Sequence, residues 1–104
     1  MRKFSADVVM PAEAQMTLDR LRKVLGVLDG VERPAVRGER SVSVRTRVSL
    51  RSWGEDVTCT IVPADGGFLI RVESRSTVVT TLFDYGANRR NVERVVGVLE
   101  GIEE

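Results

Sequence analysis

Ser74, Arg75 and Ser76, followed by Asp84, Asn88 and Arg89, form the group of polar side chains in this chain with the most chemical potential. Ser74 and Ser76 share strand parity with Phe68, Ile70 and Val72, so their hydroxyls are expected on the core side. Asn88 lies four residues before Val92 on an amphipathic helix and so falls on that helix's apolar face. Small polar groups therefore converge on one end of the core, where each needs a hydrogen-bond partner. Two readings follow. In the first and favoured one, Asp84 caps the helix and Asn88 ties it to the strand. In the second, the cluster Ser74, Arg75, Ser76, Asp84, Asn88 and Arg89 binds a ligand. The start of that helix, Asp84-Tyr85-Gly86-Ala87-Asn88-Arg89-Arg90, also combines amide donors, a positive dipole end and two arginines, which suit an anion. There too the bland reading is favoured: Asp84 occupies the donors, and the arginines are solvated or paired with Glu93.

What is missing narrows the chemistry further. Of 104 residues none is histidine, which excludes Ser-His-Asp and Cys-His catalysis and histidine metal ligands. Cys59 is the only cysteine, so no intrachain disulfide and no thiolate zinc site can form. It sits in an inward row and reads as a small core residue. Glu55 and Asp56 are adjacent carboxylates, but neighbours on a strand face opposite sides and do not converge on one reacting atom. Their expected role is at a turn and sheet edge. No nucleophile–base pair, metal site or cofactor motif emerges, and an enzyme ranks third among the readings. Gly66-Gly67 belongs to a hairpin and not to a phosphate loop.

The positioning elements are legible from periodicity. Residues 3–9 alternate as a strand, with Phe4, Ala6 and Val8 on one face. Pro11 is expected to open a helix whose stripe is Ala14, Leu18, Leu21, Leu25 and Leu28, with Asp29-Gly30 as its stop and a loop over 31–39. Residues 41–50 alternate with Val42, Val44, Thr46, Val48 and Leu50 on one side and Arg45 and Arg47 on the other. A turn at Ser52-Trp53-Gly54 precedes a strand over 56–62, with Val57, Cys59 and Ile61 inward. Pro63-Ala64-Asp65-Gly66-Gly67 connects it to the next strand. Thr77–Phe83 is β-branched and uncharged, so it is expected either paired in the sheet or used in a homodimer. A second helix is expected over about 85–100, with Gly97 and Gly101 weakening its end.

The fold class is therefore α+β: a mostly antiparallel sheet of four to five strands with two amphipathic helices on one face, in one domain over 1–104. With 16 basic against 15 acidic residues the net charge is +1, which argues against a nucleic-acid module. Arg45, Arg47, Arg71 and Arg75 could share one sheet face, but outward arginines are routine on half-exposed sheets. No apolar run approaches the roughly 20 residues of a membrane span, and a soluble cytoplasmic protein is the plain expectation.

The pieces RTRVSLRSWGEDVTCTI, RVESRS and DYGANRRNVERV resemble an uncharacterised bacterial family, the domain of unknown function numbered fourteen ninety-nine. In that family a strand ends near an S-R element, and D-x-G-x-N-x-x-R opens the last helix. The matching positions are Ser74 and Arg75, then Asp84, Gly86, Asn88 and Asn91, where Asn91 stands in place of the family's arginine. The resemblance implies no activity. The first half, a strand followed by Met10-Pro11-Ala12-Glu13 and an amphipathic helix, resembles the opening of START-like helix-grip domains, which wrap a sheet around a long C-terminal helix to hold an apolar ligand. The leading functional expectation is a non-enzymatic binding or interaction domain, taking a small ligand or a protein partner. The alternative is a small apolar-ligand carrier of START-like shape.

Overall fold

The computed structural model describes residues 3–28, 35–46, 54–77 and 86–103. Among these residues, five strands form one antiparallel sheet: β1 (Lys3–Pro11), β2 (Ala35–Arg37), β3 (Ser41–Arg45), β4 (Glu55–Ala64) and β5 (Gly67–Ser76). Their spatial order is β1-β5-β4-β3-β2, so the first strand lies beside the last. Helix α1 (Leu18–Leu25) follows β1, and α2 (Ala87–Glu103) follows β5. No described helix is long and apolar enough to cross a membrane.

Pairing follows side-chain alternation. Val44 faces Val57, Val42 faces Cys59, Cys59 faces Val72, and Ala6 also faces Val72. This row and its neighbours carry the inner face, and both helices cover it, α1 over β3 and α2 over β1 and β5. Leu21, Leu25, Val42, Val57, Cys59, Ile70, Val72, Val92, Val95 and Leu99 are fully buried in one cluster. Each such side chain contributes about 1.5–3 kcal/mol relative to exposure. Neither described helix lies over the opposite face. There Ser41 meets Thr60 at 2.9 Å and Ser43 meets Thr58 at 2.7 Å.

Three expectations are corrected. Pro11 does not open the helix; it is the last residue of β1, opposite Gly67. A proline at a strand end forfeits no interior ladder bond. Gly67 permits the approach, since a Cβ there would lie 2.4 Å from the Met10 carbonyl oxygen. The helix begins instead at Leu18, where Thr17 Oγ1 accepts from the Arg20 amide at 3.2 Å. It ends at Leu25, before the Asp29-Gly30 stop, when the Gly26 amide turns to the Arg22 and Lys23 carbonyls. Leu28 is still buried, in the turn beyond it. Within the expected 31–39 loop, Ala35–Arg37 pairs with β3, because an open β3 edge accepts even a short partner. Of the 41–50 alternation, Val42 and Val44 are buried and Arg45 is exposed, as expected; Arg47, Val48 and Leu50 lie outside the described residues. So do Trp53 and the 78–83 part of the Thr77–Phe83 segment. Helix α2 continues through Gly97 and Gly101.

Candidate functional site

The inner face is apolar over most of its length and turns polar at one end. Strand β5 passes from Ile70 and Val72 to Ser74 and Ser76, and its partner β4 passes from Cys59 and Val57 to Glu55. Helix α2 brings Asn88 and Asn91 to the same end, one turn before Val92 and Val95. Glu55, Ser74 and Asn88 are buried, with Ser74 and Asn88 fully removed from solvent.

These groups form a connected chain of side-chain hydrogen bonds. Thr46 Oγ1 donates to Glu55 Oε1 at 3.0 Å, and Asn91 Nδ2 donates to the same oxygen at 2.9 Å. Asn91 Nδ2 also donates to Ser74 Oγ at 3.2 Å. Ser74 Oγ donates to Asn88 Oδ1 at 2.8 Å, and Asn88 Nδ2 donates to Ser76 Oγ at 3.1 Å. Backbone bonds brace the far end: the Glu55 amide donates to Thr46 Oγ1 at 2.8 Å and the Thr46 amide to the Glu55 carbonyl at 2.8 Å. β3, β4, β5 and α2 are thus locked together by polar contacts in a low-dielectric setting, where satisfied bonds are strong and lost ones costly.

Of the sequence-derived candidates, the structure brings Ser74, Ser76 and Asn88 together. Arg75 lies between the two serines in sequence and therefore points to the other face, where its Nη2 donates to Glu73 at 3.2 Å. Arg89 is exposed, 5.9 Å over the Phe4 ring and 3.0 Å from Glu93. Asp84 and Tyr85 lie outside the described residues. Glu55 and Asn91 were not among the candidates. Helical spacing carried the signal for Asn91, three residues after Asn88 on the same stripe. For Glu55 the signal was strand parity with Val57 and Cys59. Asp56 does face away from it, paired with Arg45 Nε at 3.0 Å.

Ser74 directs its proton to an amide oxygen and not to a base, so the arrangement positions hydrogen bonds and does not activate a nucleophile. Burial pushes the Cys59 thiol up to about 12, which keeps it protonated and unreactive at neutral pH. Among the described residues no three His, Cys, Asp or Glu side chains converge in a metal-binding group. On the outer face, Arg71 donates to Asp7 at 2.9 Å; that hydrogen bond and the carboxylate's charge raise the arginine's pKa. Arg45, Arg71 and Arg75 each have a carboxylate partner there, so these guanidiniums do not form a bare phosphate-binding surface. The chain matches no protein-family model and no curated protein.

Proposed function

We propose that this domain is a non-enzymatic binding module whose recognition end is the polar end of its core. One observation carries the reading. Thr46, Glu55, Ser74, Ser76, Asn88 and Asn91 are joined at the single place where the chain leaves β3, enters β4, leaves β5 and enters α2. A hydrogen-bonded polar cluster held by the ends of several regular elements is a common way for a scaffold to support a binding site. Ser76 and Asn91, the half-buried members of the cluster, are the groups that a small polar ligand able to donate and accept hydrogen bonds would meet. The resemblance to the uncharacterised family falls on the same strand and helix.

The test is a protein-observed NMR titration with a library of small polar fragments. The expected result is that binders shift the amides of Gly54–Val57, Ser74–Thr77 and Gly86–Val92, and that Asn91→Ala weakens them. Binders that cluster elsewhere, or no binders at all, would overturn the proposal.

The apolar-carrier reading draws support from strand order, since the first strand pairs with the last and the final helix closes over both. Against it stands the filling of that space by Val92, Val95 and Leu99, all fully buried. Titration with a fluorescent fatty-acid analogue separates the two: stoichiometric binding would favour the carrier, and its absence the polar site.

A further inference from the structure

The inner face of the sheet ends differently at its two ends. Glu55, in the polar cluster, and Pro63 lie eight residues apart on β4, about 27 Å at roughly 3.4 Å per residue. At the Pro63 end an open cleft of about 300 Å³ is lined by Met16, Arg40, Ile61, Pro63, Gly67 and Phe68. Met16, Ile61 and Phe68 are half-buried and pack against the core cluster, so the cleft has a supported apolar floor. Met16 adds an adaptable thioether to that lining. The volume is at the lower end of the range for small-molecule sites.

Arg40 is the one charged residue in that lining. Its backbone is held in place, because its carbonyl accepts from the Ile61 amide at 2.8 Å. Its side chain is exposed, and among the described residues no carboxylate pairs with it. Arg45, Arg71, Arg75 and Arg89 differ in this respect, each having a carboxylate partner within 3.2 Å. The cleft therefore joins an apolar floor to a guanidinium whose charge is not already answered.

The strand edge beside the cleft is a poor place to add a peptide. Ile61 gives its amide to Arg40 along that edge, and Pro63, two residues further on the same side, has no amide to give. An extended peptide laid there would lose a ladder bond, whereas an aliphatic chain brings no backbone to satisfy. We propose that the cleft binds a small anionic amphiphile, a medium-chain aliphatic carboxylate. Its chain lies on Met16, Ile61 and Phe68, and its carboxylate accepts from the Arg40 guanidinium. This site is separate from the polar cluster and from the space under α2 that Val92, Val95 and Leu99 fill.

Protein-observed NMR titration of the full chain with octanoate tests the proposal, with octanol as the uncharged ligand of equal length. Octanoate should give saturable one-to-one shifts at Met16, Arg40–Ser41, Ile61–Val62 and Gly67–Phe68. Octanol should bind the same residues roughly three- to tenfold more weakly. Arg40→Gln should bring octanoate down to the octanol level and leave octanol unchanged, while Arg40→Lys should keep most of the difference. Circular dichroism checks that both variants fold; should Arg40→Gln fail, the octanoate–octanol comparison on the wild type asks the same question. Equal affinity for the two ligands, or indifference of octanoate to Arg40→Gln, would overturn the proposal. So would shifts centred on Val92–Leu99, which would place the chain under α2, or binding of an apolar peptide ending in a free carboxylate where octanoate does not bind.

Discussion

Asn91 Nδ2 donates to Glu55 Oε1 at 2.9 Å across 36 residues of sequence, joining the second helix to the first residue of β4 inside the polar end of the core. A buried carboxylate is costly unless donors surround it, and removing one partner costs more than the bond itself was worth. Glu55→Ala should therefore lower stability by about 1–3 kcal/mol. A double-mutant cycle with Asn91→Ala should return a coupling of about 0.5–3 kcal/mol. Urea unfolding of the four proteins measures both quantities.

Asn88 is the corresponding link to β5. Ser74 donates to its oxygen and its nitrogen donates to Ser76, so neither half of the amide can be replaced without loss. Asn88→Ala should cost about 1–3 kcal/mol. Asn88→Asp should be comparably harmful, because a carboxylate offers Ser76 no donor and must be desolvated. A wild-type unfolding midpoint for Asn88→Ala would show that the amide serves something other than the fold.

Cys59 predicts an alkaline signature. Burial pushes its folded pKa up to about 12, well above that of a solvated thiol. The thiol's contribution is therefore fully present below about pH 9 and is lost as pH rises toward 12, because the unfolded chain gives up its proton first. Between pH 8 and pH 10 the loss should reach about 1.4 kcal/mol. Comparing the pH dependence of urea unfolding for the wild type and Cys59→Ala isolates this from other titrations. Labelling of the thiol in the native protein should proceed only as fast as the protein opens.

Gly67 sits where the β4–β5 hairpin meets the end of β1. A Cβ there would lie 2.4 Å from the Met10 carbonyl oxygen and 3.0 Å from the Ala12 amide nitrogen, both backbone atoms that cannot swing aside. Gly67→Ala should destabilise by more than about 1 kcal/mol, against the usual gain from removing a glycine. Thermal unfolding beside Gly101→Ala, where the added Cβ meets open space, provides the contrast.

The outer-face ion pairs should matter little. Side chains in the Arg71–Asp7 and Arg45–Asp56 pairs are roughly half exposed, so solvent screens both interactions. Arg71→Gln and Arg45→Gln are each expected to leave the urea-unfolding midpoint close to that of the wild type, and moderate salt to shrink any difference.

How far these features could be read from sequence depended on the length over which a pattern repeats. Alternation fixed the inward rows of β3, β4 and β5, because one slipped residue would send Val42, Val57 and Ile70 to solvent. The same logic put Asn88 on the inner stripe of α2. Residues 11–18 misled for a physical reason: Pro11 suits a helix start as well as a strand end, and the choice was made by Gly67 on a distant strand. β2 is too short to show periodicity. Glu55, expected at a turn and sheet edge, is instead buried at the start of an interior strand; its neighbours 46 and 91 come from other elements, and only their convergence makes a buried carboxylate tolerable.

The placing of β1 beside β5 has a consequence in time. Asp7 and Arg71 face each other across 64 residues, so the strand translated first waits for the one translated last. Until β5 leaves the ribosome, Val8 and Met10 lack the strand they pair with, whereas β3 and β4 can already pair with each other. Closing the sheet is therefore a long-loop event, set by chain entropy and slow relative to hairpin formation. A nascent chain halted at the β4–β5 turn would hold β1 unpaired with Val8 and Met10 uncovered, and such exposed apolar side chains favour aggregation.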